Sequence, residues 1–310
     1  MRFISFFTVF FLCSVLTAQS DSLYFTPKWK RGDEQKVRFN RSERTYDADK
    51  LIKDTSYYFE AKYIVRAEDD TSYQLFVKAP NIAMRSIVKA YEKVDKKYRG
   101  FRDLELLYRV RKDNGQFELI NYLEARSFID KSMLDLETLV TDIVPKETET
   151  VKSLLAPIKT MLSSKEAIDA YMQDYIHFIQ YPYGKMFILG DTLLINTELK
   201  NPMKAFDTLI QTDLYFVQKG SYTNYNVTHT TMFDADEYRQ FMAQTNKSMS
   251  QGMVLDSNAI NDKINAMFNF NSHMTVEYNP ITSWPKYARF ESSIISWSKR
   301  IVTIVNYTIE

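Results

Sequence analysis

The chain has almost no cysteine, and its one thiol, Cys13, lies in a segment that maturation would remove. Without paired cysteines there is no disulfide framework, no thiolate nucleophile and no cysteine metal site. A small extracellular domain would need such staples, whereas 310 residues can bury enough core to do without them. Glycine is scarce, at 7 residues, which leaves little material for backbone cradles around phosphate. No Gly-x-Ser-x-Gly elbow, phosphate loop or dinucleotide fingerprint occurs. The 3 histidines, His177, His229 and His273, stand far apart and in unlike contexts, with no His-x-x-x-His pair. The acidic pairs Asp69-Asp70 and Asp234/Asp236 read as turn and cap chemistry and lack the loop periodicity of a calcium site. The sequence therefore assigns no catalytic residue, no metal ligand and no cofactor, and leaves the ligand-binding residues unknown.

Net charge is missing too. Removing Arg2 with the leader leaves 39 basic against 39 acidic residues. The locally basic stretch from Lys93 to Arg99 reads as a solvated face, and electrostatics give a nucleic-acid partner no support.

Long apolar runs are confined to the start. Arg2 precedes an apolar segment from Ile4 to Leu16, and Leu16-Thr17-Ala18 offers small-residue cleavage before Gln19. Residues 1–18 thus read as a signal peptide, which implies a periplasmic or extracellular protein. The segment is short for a membrane span, so the mature chain is not expected to cross a bilayer. Leu12 stands where a lipoprotein signal has a small residue before its cysteine, which argues against lipid attachment at Cys13.

What the chain has in quantity is aromatic side chains, 15% of the total, with 21 Tyr and 21 Phe. Rings pack well across strands, and period-two alternation recurs. One phrase occurs twice, half the chain apart: Trp29-Lys30-Arg31-Gly32-Asp33 and Phe187-Ile188-Leu189-Gly190-Asp191. In each copy an aromatic residue and two spacers lead into Gly-Asp and then strand-like sequence. Behind the first copy a strand is expected over Gln35–Asn40, a polar loop over Asn40–Asp49, and a hairpin from Tyr57–Val65 to Tyr73–Val77. Residues 81–98 are ambiguous. A second hairpin joins Leu104–Val110 to Phe117–Leu123 through Asp113-Asn114-Gly115, whose Asn-Gly pair tolerates positive φ.

From about 131 to 180 the period becomes helical, with apolar positions at Met133, Leu136 and Leu139, at Val151 to Leu162, and at Ile168, Tyr171, Met172, Tyr175 and Ile179. Ser163-x-x-Glu166 reads as a capping box, and Pro182 and Gly184 as a stop. Behind the second Gly-Asp the expected elements are strands at Thr192–Glu198, 206–217 and Tyr222–Thr231. Helices follow after Asp234 and from about Ser257, then three closing strands at Met274–Tyr278, Ala288–Trp297 and Ile301–Ile309. The expected fold is α+β: large curved antiparallel sheets in two similar halves, with helices packed on or between them. Its parts are the leader (1–18), a first β-rich half (24–130), a helical insert (131–184) and a second β-rich half with short helices (185–310).

The leader ending Ala18-Gln19-Ser20 and the abundance of Asn, Lys and Tyr make the chain resemble uncharacterised secreted or periplasmic β-sheet proteins of the Bacteroidota. The doubled Gly-Asp phrase with long hairpins behind it is similar to LolA-like and lipocalin-like envelope proteins. The resemblance spans most of residues 24–310 and implies a curved antiparallel sheet that binds a lipid or another envelope component; no site residue is carried over.

Three functions stay open. A non-enzymatic envelope or secreted protein could bind a lipid, hydrophobic peptide or glycan in an apolar groove. A structural or interaction module could dock on an envelope protein. A hydrolase could assemble a site from dispersed Asp, Glu and His. A filled apolar groove under the helices would favour the first, a solid core with an exposed aromatic patch the second, and a histidine converging with two carboxylates the third. The aromatic surplus is equally explained by an ordinary sheet-to-helix core.

Overall fold

The computed structural model of the protein describes residues 22–80, 103–143, 164–172, 175–199, 209–220, 223–234, 268–296 and 299–310, with a few single positions between. The expected leader, the ambiguous stretch 81–98, the apolar positions Val151 to Leu162, Ser163 of the capping box and the helix expected from Ser257 lie outside the described residues.

Alternation builds the sheet. Strands β2 (Glu34–Asp47), β3 (Lys50–Glu68), β4 (Ser72–Ala79), β5 (Leu104–Arg111) and β6 (Phe117–Leu119) form one meander. Strands β8 (Thr192–Leu199), β9 (Leu209–Lys219), β10 (Tyr225–Phe233), β11 (Phe268–Tyr278), β12 (Pro285–Ser296) and β13 (Lys299–Ile309) form another. The two join through β13 and β2 into one 11-stranded sheet, in the order β6-β5-β4-β3-β2-β13-β12-β11-β10-β9-β8, with every neighbouring pair antiparallel. The short strands β1 (Ser22–Tyr24) and β7 (Met186–Ile188) pair in a separate ribbon. The class is α+β, built on a large antiparallel sheet.

Period two sends alternate side chains to opposite faces. The inner face carries the core: Val37 and Phe39, Ala61, Tyr63 and Val65, Leu75 and Val77, Leu106 and Tyr108, then Val227, Val276, Ala288 and Tyr307. The outer face of the central strands is a carpet of ion pairs, among them Lys36–Glu60, Lys62–Glu34, Arg38–Glu310 and Arg289–Glu291. These pairs add little stability individually, but they keep a long sheet soluble on one side.

The two Gly-Asp phrases form matching turns. Gly32 (φ +92°) donates its N–H to the Val65 carbonyl at 2.8 Å, and Gly190 (φ +79°) donates to Val217 at 2.8 Å. Asp33 and Asp191 each donate to the residue three back at 3.0 Å. Trp29 and Phe187 are both buried.

Two expectations need correction. The polar stretch Asn40–Asp49 is not a loop: β2 runs to Asp47, and only then does the chain turn, at Ala48 (φ +51°). Its charges are accommodated because β3 and β13 flank it on both sides and supply partners, as in Arg44–Asp54. The strand expected to continue through Leu123 stops at Leu119, and helix α1 (Tyr122–Ile143) begins there. Asn121 breaks the ladder: its side-chain oxygen accepts from the Leu107 N–H at 2.8 Å, its amide donates to the Glu105 carbonyl at 3.0 Å, and its own carbonyl opens the helix by accepting from Ala125 at 3.1 Å.

Helix α1 buries Ala125, Ile129 and Met133, spaced four apart along one stripe. The helices α2 (Lys165–Met172) and α3 (His177–Gln180) bury Ile168, Met172, Phe178 and Ile179. The run from Tyr175 to Tyr183 lies against the sheet, and buried tyrosines tie it down. Tyr63 donates its hydroxyl to the Tyr175 carbonyl, Tyr108 to Met172, and Tyr278 to Phe178 and Ile179. In the reverse direction Tyr175 donates to Pro80, Tyr181 to Val227 and Tyr183 to Ser283. The carbonyls at the end of a helix have no partner within it, so buried hydroxyls supply what water would. Burial pushes the hydroxyls of Tyr63, Tyr108, Tyr181, Tyr183 and Tyr278 well above the ordinary range, so they stay protonated as donors.

Two predictions follow from these contacts. Tyr278→Phe leaves two carbonyls of α3 without their donor and is expected to cost about 1–3 kcal/mol in urea unfolding. The exposed Tyr58→Phe should stay within about 0.5 kcal/mol. A Cβ on Gly115 would stand 2.4 Å from Cβ of Tyr183, at φ +64°, whereas one on Gly32 meets nothing within 4 Å. Gly115→Ala should therefore destabilise clearly more than Gly32→Ala, which carries backbone strain alone, about 1–2 kcal/mol. Equal midpoints for the two alanine variants would contradict the packing of Tyr183 on the hairpin turn.

Candidate functional site

Odd-numbered residues of β9 face inward, which sends Gln211, Asp213 and Tyr215 to the core side. Their neighbours on β10 are His229, opposite Tyr215, and Thr231, opposite Asp213. Sheet register thus places a carboxylate, an imidazole and a hydroxyl side by side. Asp213 Oδ1 lies 2.7 Å from His229 Nε2 and accepts from Thr231 Oγ1 at 2.9 Å, and Oδ2 accepts from Gln211 Nε2 at 2.7 Å. His229 stacks on Tyr215 with ring centres 4.4 Å apart and planes within 8°. Asp213, His229 and Thr231 are all buried.

The run over the sheet completes the cluster. Tyr181 lies 5.1 Å and His177 6.4 Å from the His229 ring. Lys185 donates from Nζ to the Tyr181 carbonyl at 2.8 Å and lies 4.9 Å from the Tyr215 ring centre. Burial lowers the Lys185 ammonium. Burial, with His229 and Lys185 beside it, holds His177 down at about 4. Burial alone would raise Asp213, but hydrogen bonds from His229, Gln211 and Thr231 more than offset that and keep it below the usual carboxylate range. Tyr215 is pushed up by burial and by Asp213.

The polar character continues along the inner face. Register sets Asp213, Thr231, Ser272, Ser292, Thr303, Glu43 and Thr55 opposite one another on successive strands. Apolar residues flank this line, with Met274, Phe290 and Val305 on one side and Ile294 and Ile301 on the other. At its far end Arg41 and Glu43, both half-buried, pair at 2.6 Å.

Of the histidines, the fold therefore brings His177 and His229 together and leaves His273 exposed on the outer face between Thr230 and Thr275. Asp69 serves its turn: its carboxylate accepts from the N–H groups of Thr71 and Ser72, which lowers it to about 2. Asp234 accepts from the N–H groups of Asp236 and Glu237, the contacts of a helix cap. Sequence reasoning passed over Asp213, Thr231 and Lys185. The one available signal was the placement of Asp213 and His229 at inward positions of adjacent alternating strands. Among the described residues no group of three or more His, Cys, Asp or Glu side chains is placed to hold a metal ion.

The space beneath the helices is filled by the protein's own side chains, with Tyr63, Tyr108, Phe178 and Tyr278 almost wholly buried there, so among the described residues a solid core stands where the groove was expected. An open cavity of about 1040 Å³ lies elsewhere, at the turns joining β3 to β4 and β5 to β6. Its basic residues are already compensated, Arg109 and Lys165 by Glu118, Arg111 by Asp113 and Lys112 by Glu68. That wall presents little unsatisfied charge, and the buried cluster around Asp213 is the better candidate.

No family model and no curated protein matches the chain. Among solved structures it is similar to one described as "lipid-protein interactions in lipovitellin", with a TM-score of 0.34 and 8% identity, over 91% of this chain and 25% of that one. The chain spans a quarter of the protein it matches, and so distant a likeness carries no conclusion about function. No helix among the described residues is long and apolar enough to cross a membrane.

The lowered pKa of His177 has a thermodynamic consequence. The unfolded chain takes up a proton near 6.5, and the folded chain only near 4. Stability should fall as pH drops through that window, because protons bind the unfolded state first. Asp213, whose pKa is lowered by folding, adds the same sign at lower pH. Urea midpoints measured from pH 7 to pH 4.5 should show the slope in the wild type and a smaller one in His177→Gln.

Proposed function

We propose that the protein is a non-enzymatic cell-envelope or secreted binding protein that takes a lipid or other hydrophobic ligand on the inner face of its sheet. One observation carries this reading. The inner face is sealed where the helices cover it, yet β2, β3, β11, β12 and β13 continue beyond. There Phe290 and Ile294 are half-buried and Ile301 is 38% exposed, in the cross-strand pairs Phe290–Val305 and Ile294–Ile301. The outer face of the central strands is covered by ion pairs, while β8, β9 and β10 expose Leu194, Ile210 and Met232 there. The line Ser272–Ser292–Thr303 gives the apolar floor a polar seam, which fits an amphipathic lipid better than a wholly apolar peptide.

The expected leader at 1–18 accords with a periplasmic or extracellular location. The matching turns at Gly32 and Gly190 support two related β-rich halves, 24–130 and 185–310, around the helical insert 131–184.

A second reading rests on a different surface. Tyr24, Met186 and Ile188 point outward from the β1–β7 ribbon and are exposed at 49%, 66% and 44%. An interaction module docking on an envelope protein would use them.

Native mass spectrometry of the purified mature protein tests the first reading. Retained lipid, or stoichiometric uptake of added oleate, is the expected result. Ile294→Glu should weaken uptake by about tenfold or more, because it places a carboxylate on the apolar floor. Leu194→Glu, on the outer face of β8, should not. A monomer that neither holds nor takes up lipid would sink the reading; a lipid-free oligomer would favour the second.

A further inference from the structure

We infer that the cluster around Asp213 and His229 receives the acidic head group, a carboxylate or phosphate monoester, of an amphipathic ligand; this rests on the binding reading above. Asp213 does not face the ligand. Both its oxygens are occupied by His229, Thr231 and Gln211, so its charge is turned inward. What the cluster presents instead is the Lys185 ammonium and the unengaged ring of His177.

Lys185 is half-buried and gives one hydrogen bond, to a backbone carbonyl, with the Tyr215 ring at its side. It makes no ion pair among the described residues. Asp213 acts on this ammonium through space without pairing to it, so its charge is only partly compensated, and an arriving anion would reduce the remaining cost. His229, anchored through Nε2, has no hydrogen bond at Nδ1 to any described residue, and neither ring nitrogen of His177 has one. The charged and titratable groups around His177 are His229 on β10, Asp213 on β9, and Tyr181 and Lys185 on its own segment. An incoming cation would meet Lys185, whereas an anion meets that ammonium and the ring of His177, which has an N–H to give; the neutral His229 ring, whose one N–H goes to Asp213, has none left to offer. The polar line from Thr231 to Thr303 and its apolar flanks lead away from this point, so the head lies here and the tail extends along β11, β12 and β13.

The test compares oleate with oleyl alcohol, which share a tail and differ at the head, on the mature full-length chain by displacement of a fluorescent fatty-acid probe. Oleate should bind about tenfold more tightly than the alcohol. Lys185→Met should bring the two affinities together, whereas Lys62→Met on the outer face should keep them apart. Equal binding of acid and alcohol by the wild type overturns the head-group site while leaving the lipid reading intact. A preference that survives in Lys185→Met also overturns it. Failure of both probes to bind overturns both. Inorganic phosphate competes in a further arm: displacement of the probe by millimolar phosphate alone would assign the site to a free anion and overturn the lipid head as its source.

Discussion

The fold depends on tyrosine hydroxyls reaching backbone carbonyls inside the core. The segment from Tyr175 to Tyr183 crosses the inner face of the sheet without strand pairing to it along most of its length, and its short helix ends in an apolar interior. Each carbonyl buried there forfeits its bond to water, and an unpaired one would cost more than a typical packing contact contributes. Tyr63, from the first meander, and Tyr278, from the second, supply donors from opposite sides. Tyr181 and Tyr183 return the favour by donating to Val227 and Ser283. The insert is thereby bonded to both meanders, and the aromatic surplus becomes a hydrogen-bonding device as well as a packing one.

The same segment fixes the candidate site. His177 and Lys185 flank it, and they are brought to His229 only because Phe178 and Ile179 are buried in the core and Tyr181 is bonded to Val227. Polar groups at this place are tolerable because they satisfy one another: Asp213 collects three donors and Tyr215 stacks on the imidazole. Protonation and folding are coupled through this one patch, since the unfolded chain takes up a proton at His177 well before the folded one does.

The sheet also explains why its two faces differ at the central strands. Cross-strand ion pairs such as Lys36–Glu60 cover the outer face of β2 and β3, where the strands would otherwise offer a flat surface for aggregation. The inner face can afford apolar side chains only where something covers them, and its continuation past the helices, with Ile301 exposed, is the exception that gives the binding reading its basis.

Local pattern was enough for much of this. Alternation at Tyr57–Val65, Leu104–Val110 and Ile301–Ile309 identified strands, Asn114-Gly115 identified a turn, and the two Gly-Asp phrases marked matching turns, because side-chain period and positive φ are properties of a few consecutive residues. Polar strands such as Asn40–Asp47 were illegible for the same reason: their stability comes from β3 and β13 on either flank, and nothing within ten residues records those partners. Asn121 looked like one more strand position until the Leu107 and Glu105 backbone groups were placed beside it. Of the candidate site, local reading offered only the inward parity of Asp213 and His229 on adjacent strands. Asp213, His229 and Lys185 are unremarkable where they stand in the chain, and only sheet register and the tyrosine-tied crossing segment bring them together. Sequence by itself determined the elements and their faces; tertiary structure decided which residues meet, because long-range pairing sets distances that no short window contains.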